Sequence, residues 1–190
     1  MKHINLKAFD DLIKITYKNE DIFLIHNFFN QDTLDEIKKH LSDIHNDESY
    51  WGDLDKQENL PRRSLIKKDD LIEEIIKEFS SNEYVSKINS TFNWDITGCG
   101  GSIWHDHEGY NIKLHVDNDR VKFAIQIYLK GFDTHLGTSF SRGTENEIFL
   151  TLPYKENFGY CMKNVDKFQH GLIKPVPKNF DRYSLYSILG

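Results

Sequence analysis

Residues 121–129 alternate without a break. Val121, Phe123, Ile125, Ile127 and Leu129 fall on one face, and Lys122, Ala124, Gln126 and Tyr128 on the other. That is the period of an extended strand. One face is large and apolar, fit to pack beneath helices. The other offers Ala124, Gln126 and Tyr128, a pattern that suits a pocket wall or a solvent face. Strand-like stretches also run over 110–116, 137–141, 147–152, 158–163 and 182–189, separated by Gly, Pro, Asn and Asp.

The first half of the chain has a different period. Ile13, Ile15 and Tyr17 alternate and Ile22 to Ile25 is an apolar run, which predicts a hairpin about Lys18-Asn19-Glu20. Leu34, Ile37, Leu41 and Ile44 then mark one face of a helix, with Asp32 as its expected N-cap. Leu71, Ile72, Ile75, Ile76 and Phe79 mark a second helix, and a third is expected from Glu83 to Phe92. The segment 46–69 reads as polar and irregular. Pro61, Pro153, Pro175 and Pro177 are expected between elements. Helices followed by antiparallel strands predict an α+β arrangement in which the helices cover one sheet. At 190 residues the chain is expected to form one domain, with 1–95 as a helical support region and 96–190 as the β core.

Composition narrows the partners. With 30 acidic against 24 basic residues the net charge is -6, which argues against a nucleic-acid backbone or an anionic membrane as the main partner. No apolar stretch approaches the ~18 residues of a membrane span. The N-terminal residues are mixed polar, without the apolar core of a signal peptide. The two cysteines, Cys99 and Cys161, build no disulfide framework. The expectation is a soluble, reduced, cytoplasmic protein. Oligomeric state is not legible.

The sharpest chemical feature is Leu114-His115-Val116-Asp117. In an extended chain residues i and i+2 project from one face, so His115 and Asp117 can approach a single ion. Two histidines and one carboxylate with open positions suit Fe(II). About one His-x-Asp is expected by chance in a chain of this composition. A second one, His45-Asn46-Asp47, follows the first helix and reads as solvated loop. Downstream lie Gln169-His170-Gly171 and Asp181-Arg182-Tyr183-Ser184. Arg182 and Ser184 share a face of the last strand. A guanidinium there forks onto a carboxylate, and a hydroxyl beside it adds a hydrogen bond. The alternative for Arg182 is a structural salt bridge.

The order His-x-Asp, distant His, Arg-x-Ser resembles the 2-oxoglutarate/Fe(II)-dependent oxygenase superfamily. Residues 109–118, Ile127-Tyr128-Leu129 and Leu136-Gly137-Thr138-Ser139-Phe140 look like its prolyl-4-hydroxylase-like branch. The resemblance covers about residues 96–190 and extends weakly to residues 21–29. It implies a double-stranded β-helix, a cupin-like jelly-roll with N-terminal helices packed on the larger sheet. It also implies roles: iron on His115, Asp117 and His170; 2-oxoglutarate on Arg182, assisted by Ser184 and Tyr128. The implied reaction consumes O2 and 2-oxoglutarate, releases succinate and CO2, and hydroxylates a peptidyl or small-molecule substrate. Ascorbate would be a supporting reductant. Thr138 stands where many members have a second glycine, at a turn expected to lie away from the ligands.

Rival features remain. His105-Asp106-His107-Glu108 would place two histidines on one strand face, without downstream partners. It is assigned to the pocket mouth, with His105 and Tyr110 as candidate substrate contacts. Arg62, with Arg63, is either a steering residue for an anionic substrate or exposed and solvated. A non-redox cupin-like metalloenzyme or a metal-binding module on the same scaffold would not need Arg182 and Ser184.

Overall fold

A computed structural model describes residues 1–53, 62–67, 69–131, 135–165 and 168–189. Within the segment read as irregular, residues 54–61 with Pro61, and residue 68, lie outside the described residues.

The expected hairpin forms from β1 (Ile13–Tyr17) and β2 (Glu20–His26). Lys18 and Asn19 both turn at positive φ (49° and 66°), the two-residue geometry that matches strand twist. Helix α1 (Gln31–Asp43) starts earlier than expected: its N-cap is Asn30, and Asp32 sits in the first turn. The reason is local. The Asn30 side chain donates to Lys2 O at 3.0 Å, which holds residue 30 extended, and Leu34 N then bonds Asn30 O. Helices α2 (Asp70–Phe79) and α3 (Asn82–Phe92) follow, capped by the side chains of Asp69 and Ser81.

The irregular reading of 46–69 is corrected at its two ends. Strands β3 (Trp51–Asp53) and β4 (Arg63–Ile66) pair with each other, and β4 also pairs with β5 (Cys99–Asp106). From there the chain alternates between two antiparallel sheets. The remaining strands are β6 (Ile112–His115), β7 (Phe123–Tyr128), β8 (Ser139–Ser141), β9 (Ile148–Thr151), β10 (Phe158–Lys163), β11 (Gln169–Leu172) and β12 (Arg182–Leu189). Among the described residues the major sheet runs β1-β2-β10-β7-β12-β5-β4-β3 and the minor sheet β6-β11-β8-β9. This is the expected double-stranded β-helix.

Alternation on each strand builds two cores. Phe123, Ile125, Ile127, Tyr183, Leu185, Ile103 and Cys161 face the helices, where they meet Leu34, Ile37, Ile75, Phe79 and Ile88. The opposite faces meet the minor sheet: Tyr128, Phe158, Tyr160 and Met162 pack with Phe140, Leu152 and Phe168. The helices therefore cover the larger sheet, and the polar face of β7 looks inward, as the alternation of 121–129 allowed. Pro153, Pro175 and Pro177 lie between strands. Both cysteines are free thiols; Cys161 is buried and Cys99 half-buried, and burial raises both pKa values. No helix among the described residues is long and apolar enough to cross a membrane.

Phe79 joins α2 to the rest of the outer core. It is fully buried, stacked on Phe28 and edge-on to Tyr84. Phe79→Ala should cost about 3–5 kcal/mol of stability in urea denaturation; a loss below about 1 kcal/mol would contradict this packing.

Candidate active site

Strand β11 lies between β6 and β8, and its register sets His170 directly across from His115. The pairing is close because residue 171 is glycine: a β-carbon there would sit 2.6 Å from Ile112 O and 2.8 Å from Lys113 O. Asp117 follows β6 in a loop held by Asn164, whose amide donates to the carbonyls of Asp117 and Val121 at 3.1 and 2.9 Å. The result brings three expected ligands together. His115 Nε2 is 3.6 Å from Asp117 Oδ1, and His170 Nε2 is 3.6 Å from Asp117 Oδ2. One donor atom from each lies within 4.8 Å of the other two.

The surroundings prepare these donors. His115 Nδ1 donates to Lys113 O at 2.8 Å, which turns Nε2 toward the cluster. The Tyr186 hydroxyl donates to Asp117 Oδ2 at 2.7 Å. Burial opposes the charge on Asp117. Hydrogen bonds from His115 and His170, the His170 charge and the Tyr186 hydroxyl outweigh it and hold the carboxyl well below the usual range. The hydrogen bond to Asp117 raises the His115 pKa against the effect of burial. Two imidazoles and a carboxylate of this kind suit a divalent transition metal.

The cluster lines a cavity of about 210 Å³ whose other walls include Arg63, Trp104, Tyr110, Thr138 and Arg182. Arg182 is buried on β12. Its Nε donates to Leu136 O at 2.9 Å, its Nη1 is ion-paired with Asp106, and its guanidinium lies 5.2 Å over the Tyr128 ring. The structural ion pair weighed as the alternative for Arg182 is therefore present. Burial opposes the charge on Arg182, but the Asp106 carboxylate raises its pKa above the ordinary arginine value. Asp106 has a second partner, Arg63 Nε at 2.6 Å. The register explains this: Asp106 on β5 faces Arg182 on β12 and Arg63 on β4, three cross-strand neighbours in one row. Two guanidiniums share one carboxylate, so the row keeps one positive charge at the cavity. Arg63 is wedged between Trp104 and Tyr110, 4.6 and 4.8 Å from their rings. Trp104 Nε1 and the Tyr110 hydroxyl are buried without a hydrogen-bond partner among the described residues.

The other expected residues fall as follows. Tyr110 lines the cavity. Tyr128 and Ser184 are buried behind it. The Tyr128 hydroxyl bonds Thr138 Oγ1 at 2.9 Å and accepts from Thr138 N at 2.7 Å, while Ser184 Oγ accepts from Gln126 at 3.3 Å. Thr138 and Gln126 are the residues that reach the cavity, joined at 2.8 Å. The expectation that Thr138 stands clear of the ligands is corrected. Arg62 is exposed and donates to Glu108 O at 3.2 Å; Arg63, read with it as a surface pair, is the one inside. His105 does not join the cavity: with Asp106 turned inward, strand alternation turns His105 to the helix side. There it meets His45 and Asp181, so the cluster read as lacking partners has two. His45 lies in a turn after α1, as expected, half-exposed beside the exposed Asn46 and Asp47, and its Nδ1 also bonds the Tyr183 hydroxyl at 2.6 Å.

A double-stranded β-helix with a His-Asp-His cluster inside its barrel is the architecture these observations define. Solved structures similar to it include two prolyl hydroxylases. One, from Pseudomonas putida, is a prolyl-4-hydroxylase with a TM-score of 0.66 over 97% of each chain, at 12% identity. Another, from Trichoplax adhaerens, is a prolyl hydroxylase in complex with a hypoxia-inducible-factor oxygen-degradation-domain peptide, with a TM-score of 0.67 over 88% of this chain and 82% of that one, at 16% identity. At those identities the likeness is one of fold. By sequence, no family model and no curated protein matches the chain.

Removing the shared carboxylate leaves two facing guanidiniums. Asp106→Asn should destabilise the protein by about 3–5 kcal/mol, whereas exposed Asp119→Asn should change stability by less than about 0.5 kcal/mol. Equal effects in thermal and urea unfolding would refute the buried row.

Proposed function

We propose that the chain is an Fe(II)- and 2-oxoglutarate-dependent oxygenase that hydroxylates a C–H bond of a peptidyl or small-molecule substrate. The observation that carries this reading is one cavity lined both by the His115–Asp117–His170 cluster and by a guanidinium row of net positive charge. A dicarboxylate small enough for about 210 Å³ matches both.

His115, Asp117 and His170 would hold the iron. With 2-oxoglutarate and O2 it would supply the oxidising power, one oxygen atom going to succinate as CO2 leaves and the other to the substrate C–H bond. The protein's own part is positioning. Tyr186 keeps Asp117 anionic and oriented, and Lys113 O fixes the His115 ring. Arg182 would receive the far carboxylate of 2-oxoglutarate, with Arg63 beside it. The unpartnered Trp104 N–H, a donor only, and the unpartnered Tyr110 hydroxyl, which can also donate, suit an anionic or carbonyl-bearing guest. Tyr128 would act indirectly, by seating Thr138 and stacking under Arg182. Ser184 would act through Gln126.

The test is succinate release from 2-oxoglutarate by protein loaded with Fe(II) and ascorbate. It should require Fe(II), be supported by ascorbate, and fall to background in His115→Ala. Arg182→Lys should raise the KM for 2-oxoglutarate about tenfold or more, because an ammonium cannot replace a forked guanidinium. Metal-dependent turnover indifferent to 2-oxoglutarate would support a non-redox metalloenzyme instead. Metal affinity should also depend on pH. His115 keeps its proton to a higher pH than usual, and that proton must leave before Nε2 can ligate. Mn(II) titrations should therefore bind more tightly at pH 8 than at pH 6, with proton release in calorimetry; pH-independent binding would count against His115 as a ligand.

A further inference from the structure

Behind the cavity, on the helix-facing side of the major sheet, a second set of donors converges. His45 follows α1, His105 lies on β5 and Asp181 immediately precedes β12. One ligand atom from each lies within 4.8 Å of the other two. We propose that His45, His105 and Asp181 form a second metal site, for a zinc-type divalent ion, separate from the His115–Asp117–His170 cluster.

The spacing fits such an ion. With metal–ligand bonds of ~2.1 Å, a tetrahedral site sets its ligand atoms ~3.4 Å apart. Here the Asp181 carboxylate bridges the two rings, Oδ1 at 2.8 Å from His105 Nε2 and Oδ2 at 3.8 Å from His45 Nε2. With one donor from each residue within 4.8 Å of the others, shifts of at most about 1.4 Å bring the three to that spacing. The orientation fits too. A ligating histidine usually gives its other nitrogen to an oxygen nearby, and His45 Nδ1 meets the Tyr183 hydroxyl at 2.6 Å, which leaves Nε2 for the ion. His105 is 1% exposed, and its Nδ1 has no hydrogen-bond partner among the described residues. Its ring is fixed instead by packing, between Tyr183 at 4.4 Å and His107 at 3.9 Å.

Access and a further coordination position are also present. The three residues border an open cavity of about 880 Å³, lined as well by His107, Lys67 and Asn179. Two imidazoles, one carboxylate and a water from that cavity complete a four-coordinate site. Its place in the fold gives it a role. His105 and Asp181 are the sequence neighbours of Asp106 and Arg182, the ion pair at the inner cavity. An ion here ties the end of α1 to both strands that carry that pair.

The experiment uses the full chain, stripped of metal by chelation, then titrated with Zn(II) against a chromogenic chelator and with Co(II) by visible absorption. The wild type should take two equivalents. His115→Ala/His170→Ala should take one and keep a four- or five-coordinate Co(II) spectrum. His45→Gln and Asp181→Asn change half-exposed side chains, at 32% and 35%, and should each weaken one equivalent by about 100-fold or more. A wild type that takes one equivalent, lost in the His115/His170 variant, overturns the proposal. So does a stoichiometry of two that survives both His45→Gln and Asp181→Asn in proteins whose circular dichroism is native. The oxygenase reading stands or falls separately, since the two sites are removed by different substitutions.

Discussion

A carboxylate held between two arginines organises the inside of this protein. Asp106 sits at the centre of a row across β4, β5 and β12, fully buried, with Arg63 on one side and Arg182 on the other. Burying a guanidinium costs several kcal/mol unless it is paired, so the row forms only if those three strands adopt this one register. The register in turn sets which way every residue on β5 and β12 points. Asp106, Trp104, Arg182 and Tyr186 go inward, and His105 and Tyr183 outward. The arithmetic of the row also gives the cavity its character, since two positive charges and one negative leave a demand for one more anion.

The opposite wall is set by backbone rather than charge. Gly171 lets β11 come close to β6, the pairing places His170 across from His115, and Asn164 fixes the loop that carries Asp117. The two walls belong to different sheets. A small dicarboxylate bound between them would span the jelly-roll, which is why the proposed chemistry depends on the sheets keeping their spacing through the aromatic core of Tyr128, Phe140 and Tyr160.

Much of this was legible where local pattern dominates. The alternation in 121–129 identified β7 and its helix-facing side, leaving the other face open between pocket and solvent, the stretches 158–163 and 182–189 match β10 and β12, and the turn at Lys18-Asn19 formed as its residues require. His115, Asp117 and His170 could be singled out because the first two share a strand period, while the third was found through order in the chain and a family resemblance. What was missed depends on distance. β3 and β4 are short edge strands parted by a polar stretch, and Gln169–Leu172 has no alternation to mark it as β11. The partner of Arg182 lies 76 residues away on β5, and nothing local announces the register that joins them. The same holds for His105. Its neighbour Asp106 took the inward position, so the histidine was left to meet His45 and Asp181 behind the sheet.

The most direct measurement is a crystal structure of the protein with Mn(II) and the inert analogue N-oxalylglycine. The account predicts manganese on His115, Asp117 and His170, the keto-acid end of the analogue on the metal, and its far carboxylate on Arg182. An analogue bound elsewhere, or a cavity metal that does not touch His170, would contradict it.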